Sequence, residues 1–550
     1  MRSFIVGLAA LAVALVAPGC GKSDSGKGGT APTKSEAKPD TPDKKGEGAE
    51  KASKEGEGLP DDTPKPPAKP LPEPVKLDAP PKLPAGAERW QAVIDLGMQK
   101  LELLIDFVKD DKGVWSATLG LPDKGIYRIG LTEVSYVAET INFTLYKPAA
   151  PKASEVYALE PDGKGSAKGT MSIGDQKFTV TAKKLKADAK VESAIKRPQT
   201  PKTPYPYETR EMMFTNAKDG VKRSGLLSIP KGKGPHPVVI IESGSGPHDR
   251  DGTFAQHKGY LVIGDFLTRK GIATLRTDDR GVGKSTGVDA DANHQTLTDD
   301  VLAMVAALKK VPEIDPKKIG VMGHSQGGSV APMAAAQSAD VAFVVMLAGI
   351  GVPGDQVMMD QKRLILESMG KTAEQLEPIM AHQRKMLDAI LEDSDAATIR
   401  KLVTDSLQVE LTKEQLAQVT PELKKNIIDA GAKSLQAGFM RALVKAKPAT
   451  YLSKVKVPVL AIWGMKDLQV EPKSNSAGFK KAMEAAGNKD AEVWLVPRMS
   501  HNLQETDTGK LEELASIEET VRPVLLNKLA AWIGTKTGLI AKAAPAPATK

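Results

Sequence analysis

The chain has one cysteine, Cys20, among 550 residues, so no disulfide can form within it. Its N-terminal apolar run, Phe4 to Val16, is shorter than the roughly 20 residues a membrane-spanning helix needs. The net charge is +8, but Lys and Arg alternate with Asp and Glu almost everywhere and no basic stripe with interleaved aromatics occurs, which argues against a nucleic-acid partner. Two further motifs are incomplete. Gly281, Val282, Gly283, Lys284 and Ser285 look like the end of a phosphate-binding loop, yet that loop needs a glycine where Asp278 stands. The segment reads instead as a tight turn shaping a pocket wall, with Asp279 and Arg280 paired. His248, Asp249, Asp251 and His257 fit no standard zinc spacing, and a hydrogen-bonded loop is the expectation. No metal and no cofactor are expected.

What is present begins with a leader. Residues 1–20 read as a lipoprotein-type signal peptide, with Cys20 directly after small residues, where a bacterial lipoprotein is cleaved and acylated. Ala17 stands where leucine is usual and Pro18 is atypical, so ordinary cleavage, giving a secreted or periplasmic protein, is the alternative. The expected location is extracytoplasmic, with the chain held to a bacterial membrane by lipid on Cys20. Residues 21–86 are Lys, Glu, Gly, Ser, Pro and Asp with almost nothing apolar, a composition that cannot bury enough surface to offset ordering entropy. They are expected to be a disordered tether, as residues 539–550 are a disordered tail. The sequence leaves the oligomeric state open.

Residues 87–190 carry short β-forming runs, at Trp90–Leu96, Lys100–Val108, Val114–Leu119, Gly125–Leu131, Glu133–Ala138, Thr140–Tyr146 and Gln176–Lys184. Turn residues such as Asp162 to Gly165 interrupt them, which predicts a small all-β domain, a barrel or a sandwich. A proline-rich linker, 191–207, follows. From 208 strand-like and helix-like segments alternate, predicting an α/β fold with a mostly parallel sheet covered by helices on both faces. The core falls in two parts, 208–351 and 451–538. Between them, 352–450 has apolar residues at helical spacing (Leu364, Ile365, Met369, Leu376, then Met380, Met386, Leu387, Ile390), which predicts a helical cap over the site.

Gly323, His324, Ser325, Gln326 and Gly327 lie between an apolar run ending at Met322 and a small-residue helical run from Gly328. The pentapeptide alone is a weak signal. Strand–turn–helix context makes it a nucleophile turn, because the glycines allow a strained backbone that exposes the Ser325 hydroxyl and aims the Gln326 amide at a developing oxyanion. A serine needs a histidine base and a carboxylate to orient it, each on a loop after a later strand. Asp467 follows the strand Val459–Trp463, and His501 follows Glu492–Val496. His382, the other histidine beyond Ser325, falls in the cap with no acid loop before it. The second oxyanion amide is expected from Gly244 or Ser245, in the small-residue loop after Val238–Glu242.

Residues 205–535 resemble the α/β-hydrolase superfamily, in particular a bacterial serine esterase subgroup related to the dienelactone hydrolase and prolyl oligopeptidase branches. The resemblance rests on Pro204–Tyr207, GSGPHDRDG at Gly244–Gly252, DDRGVGKS at Asp278–Ser285, GHSQGG at Gly323–Gly328, GMKDLQV at Gly464–Val470 and SHNLQ at Ser500–Gln504. It departs from the subgroup at His248, where glutamine is expected, and at Gln326, where glutamate is commoner. The preceding β domain is similar to one often found in front of such hydrolases. The resemblance implies Ser325 as nucleophile, Asp467 as acid and His501 as base, acting on small-molecule carboxylic esters. Two other readings stay open: a serine peptidase of prolyl oligopeptidase type, and a non-catalytic surface binding lipoprotein with a hydrolase fold.

Overall fold

The computed structural model describes residues 71–540 apart from 78–79, 97–99, 123–125, 148–152, 175, 187–195, 290–291 and 418, together with Pro64 and Pro67. The leader with Cys20, most of the tether and the tail beyond 540 lie outside the described residues. The chain divides near residue 195 into two compact units. None of the helices among the described residues is long and apolar enough to cross a membrane.

The first unit is one antiparallel sheet of ten strands: β1 Val75–Lys76, β2 Glu88–Asp95, β3 Lys100–Lys109, β4 Trp115–Leu121, β5 Ile126–Gly130, β6 Thr132–Tyr136, β7 Ile141–Leu145, β8 Glu155–Pro161, β9 Ser166–Ile173 and β10 Gln176–Leu185. Their order is β1-β5-β4-β3-β2-β10-β9-β8-β7-β6. β5 and β6 are separated by Leu131 alone yet lie near opposite ends of that order, so the sheet curls back on itself. Inward-facing Trp90, Ile105, Phe107, Phe143 and Tyr157 fill its core, with Phe143 stacked on Tyr157 at 4.5 Å. Sequence reading found the Asp162–Gly165 turn but not β8 and β9, the strands it joins. The Asp162 carboxylate accepts the Lys164 and Ser166 amides at 2.7 and 2.9 Å, while β9 buries only Ala167 and Met171 fully.

The second unit holds an eight-stranded sheet: β11 Glu208–Thr215, β12 Lys222–Ile229, β13 His236–Glu242, β16 Ala273–Thr277, β17 Ile314–His324, β18 Phe343–Leu347, β19 Val459–Gly464 and β20 Ala491–Val496. Between β13 and β16, Thr253–Phe254 (β14) and His257–Lys258 (β15) form a separate hairpin. The order is β11-β12-β16-β13-β17-β18-β19-β20, and only β12 runs against its neighbours. β11 was missed in the sequence because its residues are mostly polar or half-exposed. Alternation along β13 sends Val238 and Ile240 to one face and Val239 and Ile241 to the other. Helices 294–308, 327–337 and 472–486 cover the first face; 259–269 and 523–536 cover the second. The last helix starts at Pro523, since proline suits a first helical position. The proline-rich segment after 195 lies against this unit: Arg197 donates to the Ile517 and Ala255 carbonyls, and Gln199 exchanges hydrogen bonds with Thr520 and Val521.

The stretch between β18 and β19 is helical, from Gly354–Ser368 through Ala373–Leu391, Ala396–Glu410 and Pro421–Gln436 to Gly438–Val444. Its starts are encoded locally. Thr372 and Gln375 form a capping box, Asp395 caps the next helix, and Thr420 caps one that begins with Pro421. Met358, Met386, Leu387, Ile390, Ile399, Val403 and Leu435 give the insertion a core of its own. Met369, read as part of the buried stripe, is 40% exposed.

Candidate active site

β17 ends at His324, and the chain reverses into helix 327–337 through Ser325, whose φ is +53°. A non-glycine residue holds that left-handed conformation only when its surroundings impose it. Here they do: a Cβ on Gly323 would lie 1.8 Å from the Gly327 carbonyl oxygen, and one on Gly327 would lie 2.5 Å from the Ser243 oxygen. The turn is too tight for anything but glycine two residues either side of the serine. The Ser325 amide donates to the Leu347 carbonyl at 2.8 Å, tying the turn to β18.

Asp467 and His501 sit past the ends of β19 and β20, on loops stitched together by Met465 N–H to Val496 O and Lys466 N–H to Met499 O. His501 Nδ1 lies 2.8 Å from Asp467 Oδ2. The other oxygen, Oδ1, accepts the Gln469 and Val470 amides at 2.8 and 2.9 Å, which fixes the carboxylate's plane. Ser325 and His501 both line one cavity, with about 120 Å³ open to the centres of water-sized molecules. Gln326, Gly244 and Ser245 line it too, and Asp467 lies behind His501, so the fold brings the six residues named from the sequence together from four loops. A Cβ on Gly244 would come within 3.2 Å of the Ser325 Cβ, which measures how closely the two loops approach. The Gly244 amide is engaged, donating to Tyr260 Oη at 3.1 Å. Of the two candidate oxyanion amides, that of Ser245 is the one this hydrogen bond does not take up.

The insertion roofs this cavity with Val357, Met358, Gln361, Met440 and Leu443, while Gln469 and Asn502 border it from the acid and base loops. None of the five roof residues was singled out in the sequence, because packing decides which side chains of the predicted cap face the serine. Among the described residues, the ionisable side chains of the lining are those of the histidines and Tyr260, with no Asp, Glu, Lys or Arg. Burial is the main force on His324, pushing it down to about 3, with the neighbouring His501 adding to the effect. For His248, burial opposes protonation, but the Asp279 carboxylate beside it outweighs this and the pKa rises.

Behind the Gly244–Pro247 loop lies a charged cluster that sequence reading misjudged. Asp279 and Arg280 do not pair with each other. Asp279 accepts Arg223 at 2.8 Å, the Ser243 hydroxyl at 2.7 Å and the His248 amide at 2.9 Å, gripping the loop at both ends. Arg280 is bidentate to Asp300, and Arg223 also reaches Glu242 at 3.0 Å. Desolvation raises the Glu242 pKa despite that partner. The DDRGVGKS segment is thus a brace for the neighbouring loop. Asp278 holds Arg250 through two hydrogen bonds, and Ser285 Oγ accepts the Ser224 amide. The four residues weighed as metal ligands are engaged separately: His248 with the Gly246 carbonyl, Asp249 with the Asp251 and Thr253 amides, Asp251 with Arg276, and His257 with Thr520 and Gln504.

The sheet order with its single reversed strand, and the serine on a strained turn after the fifth sheet strand, are those of the α/β-hydrolase fold. Residues 252–508 match the family model described as Serine aminopeptidase, S33. Esterase EstD of Thermotoga maritima is 26% identical over 311 residues, which is 56% of this chain and 65% of EstD. Thiohydrolase apmlB of Arthrinium phaeospermum is 29% identical over 136 residues, 24% of this chain and 41% of that protein. The match thus spans less than two thirds of either relative. Among solved structures, the Pyrococcus furiosus esterase Pf2001 is similar at 16% identity and a TM-score of 0.36, over 60% of this chain and 91% of that one.

Proposed function

We propose that this protein is a serine hydrolase that cleaves small carboxylic esters through an acyl-enzyme. Ser325 Oγ attacks the ester carbonyl as His501 takes its proton, and Asp467 holds the imidazole and stabilises its cationic form. The Gln326 and Ser245 amides donate to the carbonyl oxygen as it gains charge. Collapse of the tetrahedral adduct expels the alcohol, protonated by His501. Water, deprotonated by the same histidine, then releases the acid and restores Ser325.

The observation that carries this reading is a cavity shared by the strained serine and the carboxylate-held histidine, with no Asp, Glu, Lys or Arg among the described residues of its lining. An aminopeptidase must hold its substrate's ammonium group, and a desolvated cation without a carboxylate costs several kcal/mol. A neutral ester incurs no such cost. The space available suits short acyl and alcohol groups, and the methionine, valine and leucine side chains of the roof suit apolar ones.

The test is labelling with a fluorophosphonate probe together with turnover of p-nitrophenyl esters of graded chain length and of aminoacyl arylamides. Wild type should label and prefer the short esters, while Ser325→Ala should do neither. Faster arylamide turnover would favour the peptidase reading, and an unlabelled wild type the non-catalytic binding one. The N-terminal leader supports lipid attachment at Cys20 and an extracytoplasmic location. Incorporation of a palmitate analogue in the native bacterial host, lost in Cys20→Ser, is the result expected; equal incorporation in both would refute it.

A further inference from the structure

Three loops supply the parts of the proposed site: Gly244–Pro247, the turn at Ser325, and the loop that carries His501. One chain of hydrogen bonds, partly buried, runs through all three. The Gly244 amide meets Tyr260 Oη at 3.1 Å, Tyr260 Oη meets His324 Nδ1 at 3.2 Å, and His324 Nε2 meets the His501 carbonyl at 2.9 Å. Its polarity is determined at both ends. A carbonyl only accepts, so His324 Nε2 carries the hydrogen, and the neutral ring then presents a lone pair at Nδ1. The Tyr260 hydroxyl must donate to that lone pair, leaving its oxygen to accept from Gly244, since an amide only donates. Every group in the chain is used once.

We propose that Tyr260 and His324 are positioning residues that hold the oxyanion loop and the base loop in register with the nucleophile. His324 is the residue before Ser325, so a link through its ring refers both other loops to the strained turn itself. The base loop needs such an anchor, because Arg498 and Leu503, either side of His501, both have positive φ, +55° and +66°. At the other end, the bond fixes the Ser243–Gly244 peptide, which adjoins the one that carries the Ser245 amide. Burial keeps His324 neutral through the working pH range, so the polarity of the chain does not invert. The inference rests on the proposed esterase reading for its functional consequence, though not for its geometry.

The test uses Tyr260→Phe, His324→Gln and the double variant in the full-length protein, with active sites counted by fluorophosphonate titration. Each single variant should lower kcat about tenfold or more and leave KM within about twofold, because misaligned groups weaken transition-state contacts and leave ground-state binding alone. The double variant should be no slower than the slower single one, as expected for two members of one chain. Unchanged kcat, losses that multiply, or a rise in KM without loss of kcat would overturn the proposal. A geometric readout is independent of turnover. With seven histidines, ¹⁵N-imidazole spectra can be assigned by the loss of one signal in His324→Gln. They should show His324 as the neutral Nε2–H form from pH 5 to 8; an Nδ1–H form, or titration in that range, would refute it. If wild type turns over no ester while the tautomer holds, the functional reading fails and the hydrogen-bond chain stands.

Discussion

Replacing Asp279 by Asn tests whether the charged cluster braces the oxyanion loop. The Asp279 side chain is 4% exposed. Its oxygens accept from Arg223, from Ser243 and from the His248 amide. Asparagine has the same shape but one acceptor oxygen. Its amide nitrogen must face either the guanidinium or the His248 N–H, so one buried donor loses its partner, a cost of about 1–3 kcal/mol. Arg223 also loses one of two carboxylates at direct contact, and breaking a buried ion pair costs roughly 3–5 kcal/mol. Glu242 still contacts Arg223, which places the expected total near the lower end, about 3 kcal/mol. Urea unfolding should show that loss, together with a fall in kcat as the freed loop misdirects Ser245. Asp405→Asn, which removes an ion pair to a 74% exposed Lys401, supplies the contrast, at about 0.5 kcal/mol or less. Equal midpoints for the two variants, or an Asp279→Asn protein with wild-type kcat, would refute the bracing role.

Asp467→Asn should lower kcat by roughly 10³–10⁴ with little change in KM, since the wrong imidazole tautomer is then favoured; steady-state kinetics on a short ester would show it. His294 is buried, and that alone takes its pKa down to about 4 from an ordinary ~6.5. The unfolded chain therefore binds the extra proton first, so the stability tied to neutral His294 is complete above about pH 6.5 and lost as pH falls to about 4. The loss is about 3 kcal/mol over that window, and His294→Gln should flatten the acid limb of a plot of urea midpoint against pH. Leu443→Trp, which fills the cavity from its roof, should raise KM about tenfold for longer acyl chains while acetate is little affected; equal effects on both would place the acyl group elsewhere.

The candidate site was unusually legible because its chemistry is tied to strand ends. Ser325, Asp467 and His501 each follow a short apolar run, and the run fixes the loop's place at the sheet's edge before any contact is known. The glycines flanking Ser325 were legible for a related reason, since the clash they avoid is local. What stayed hidden depends on distant residues meeting. Nothing near Arg223 announces Glu242, Asp279 and Asp300 as partners, and without them DDRGVGKS reads as a turn. Tyr260 carries no local signal in the first turn of its helix, and His324 stood only as a spacer within the GHSQG motif. Polar strands such as β9 and β11 escaped because their neighbours, rather than their own apolar pattern, hold them in place.

The roof joins the rest of the chain through a narrow neck. Gly354 N–H donates to the Ala446 carbonyl at 3.0 Å, and a Cβ on Gly354 would fall 1.6 Å from the Leu443 oxygen, so the entry and exit segments of the insertion touch. With a core of its own, the piece between those points forms a lid over the cavity, and Val357 and Leu443 key it into the core beneath. Evolution, or an engineer, can trade it for another of the same neck width and so change which molecules are admitted while the machinery below stays as it was.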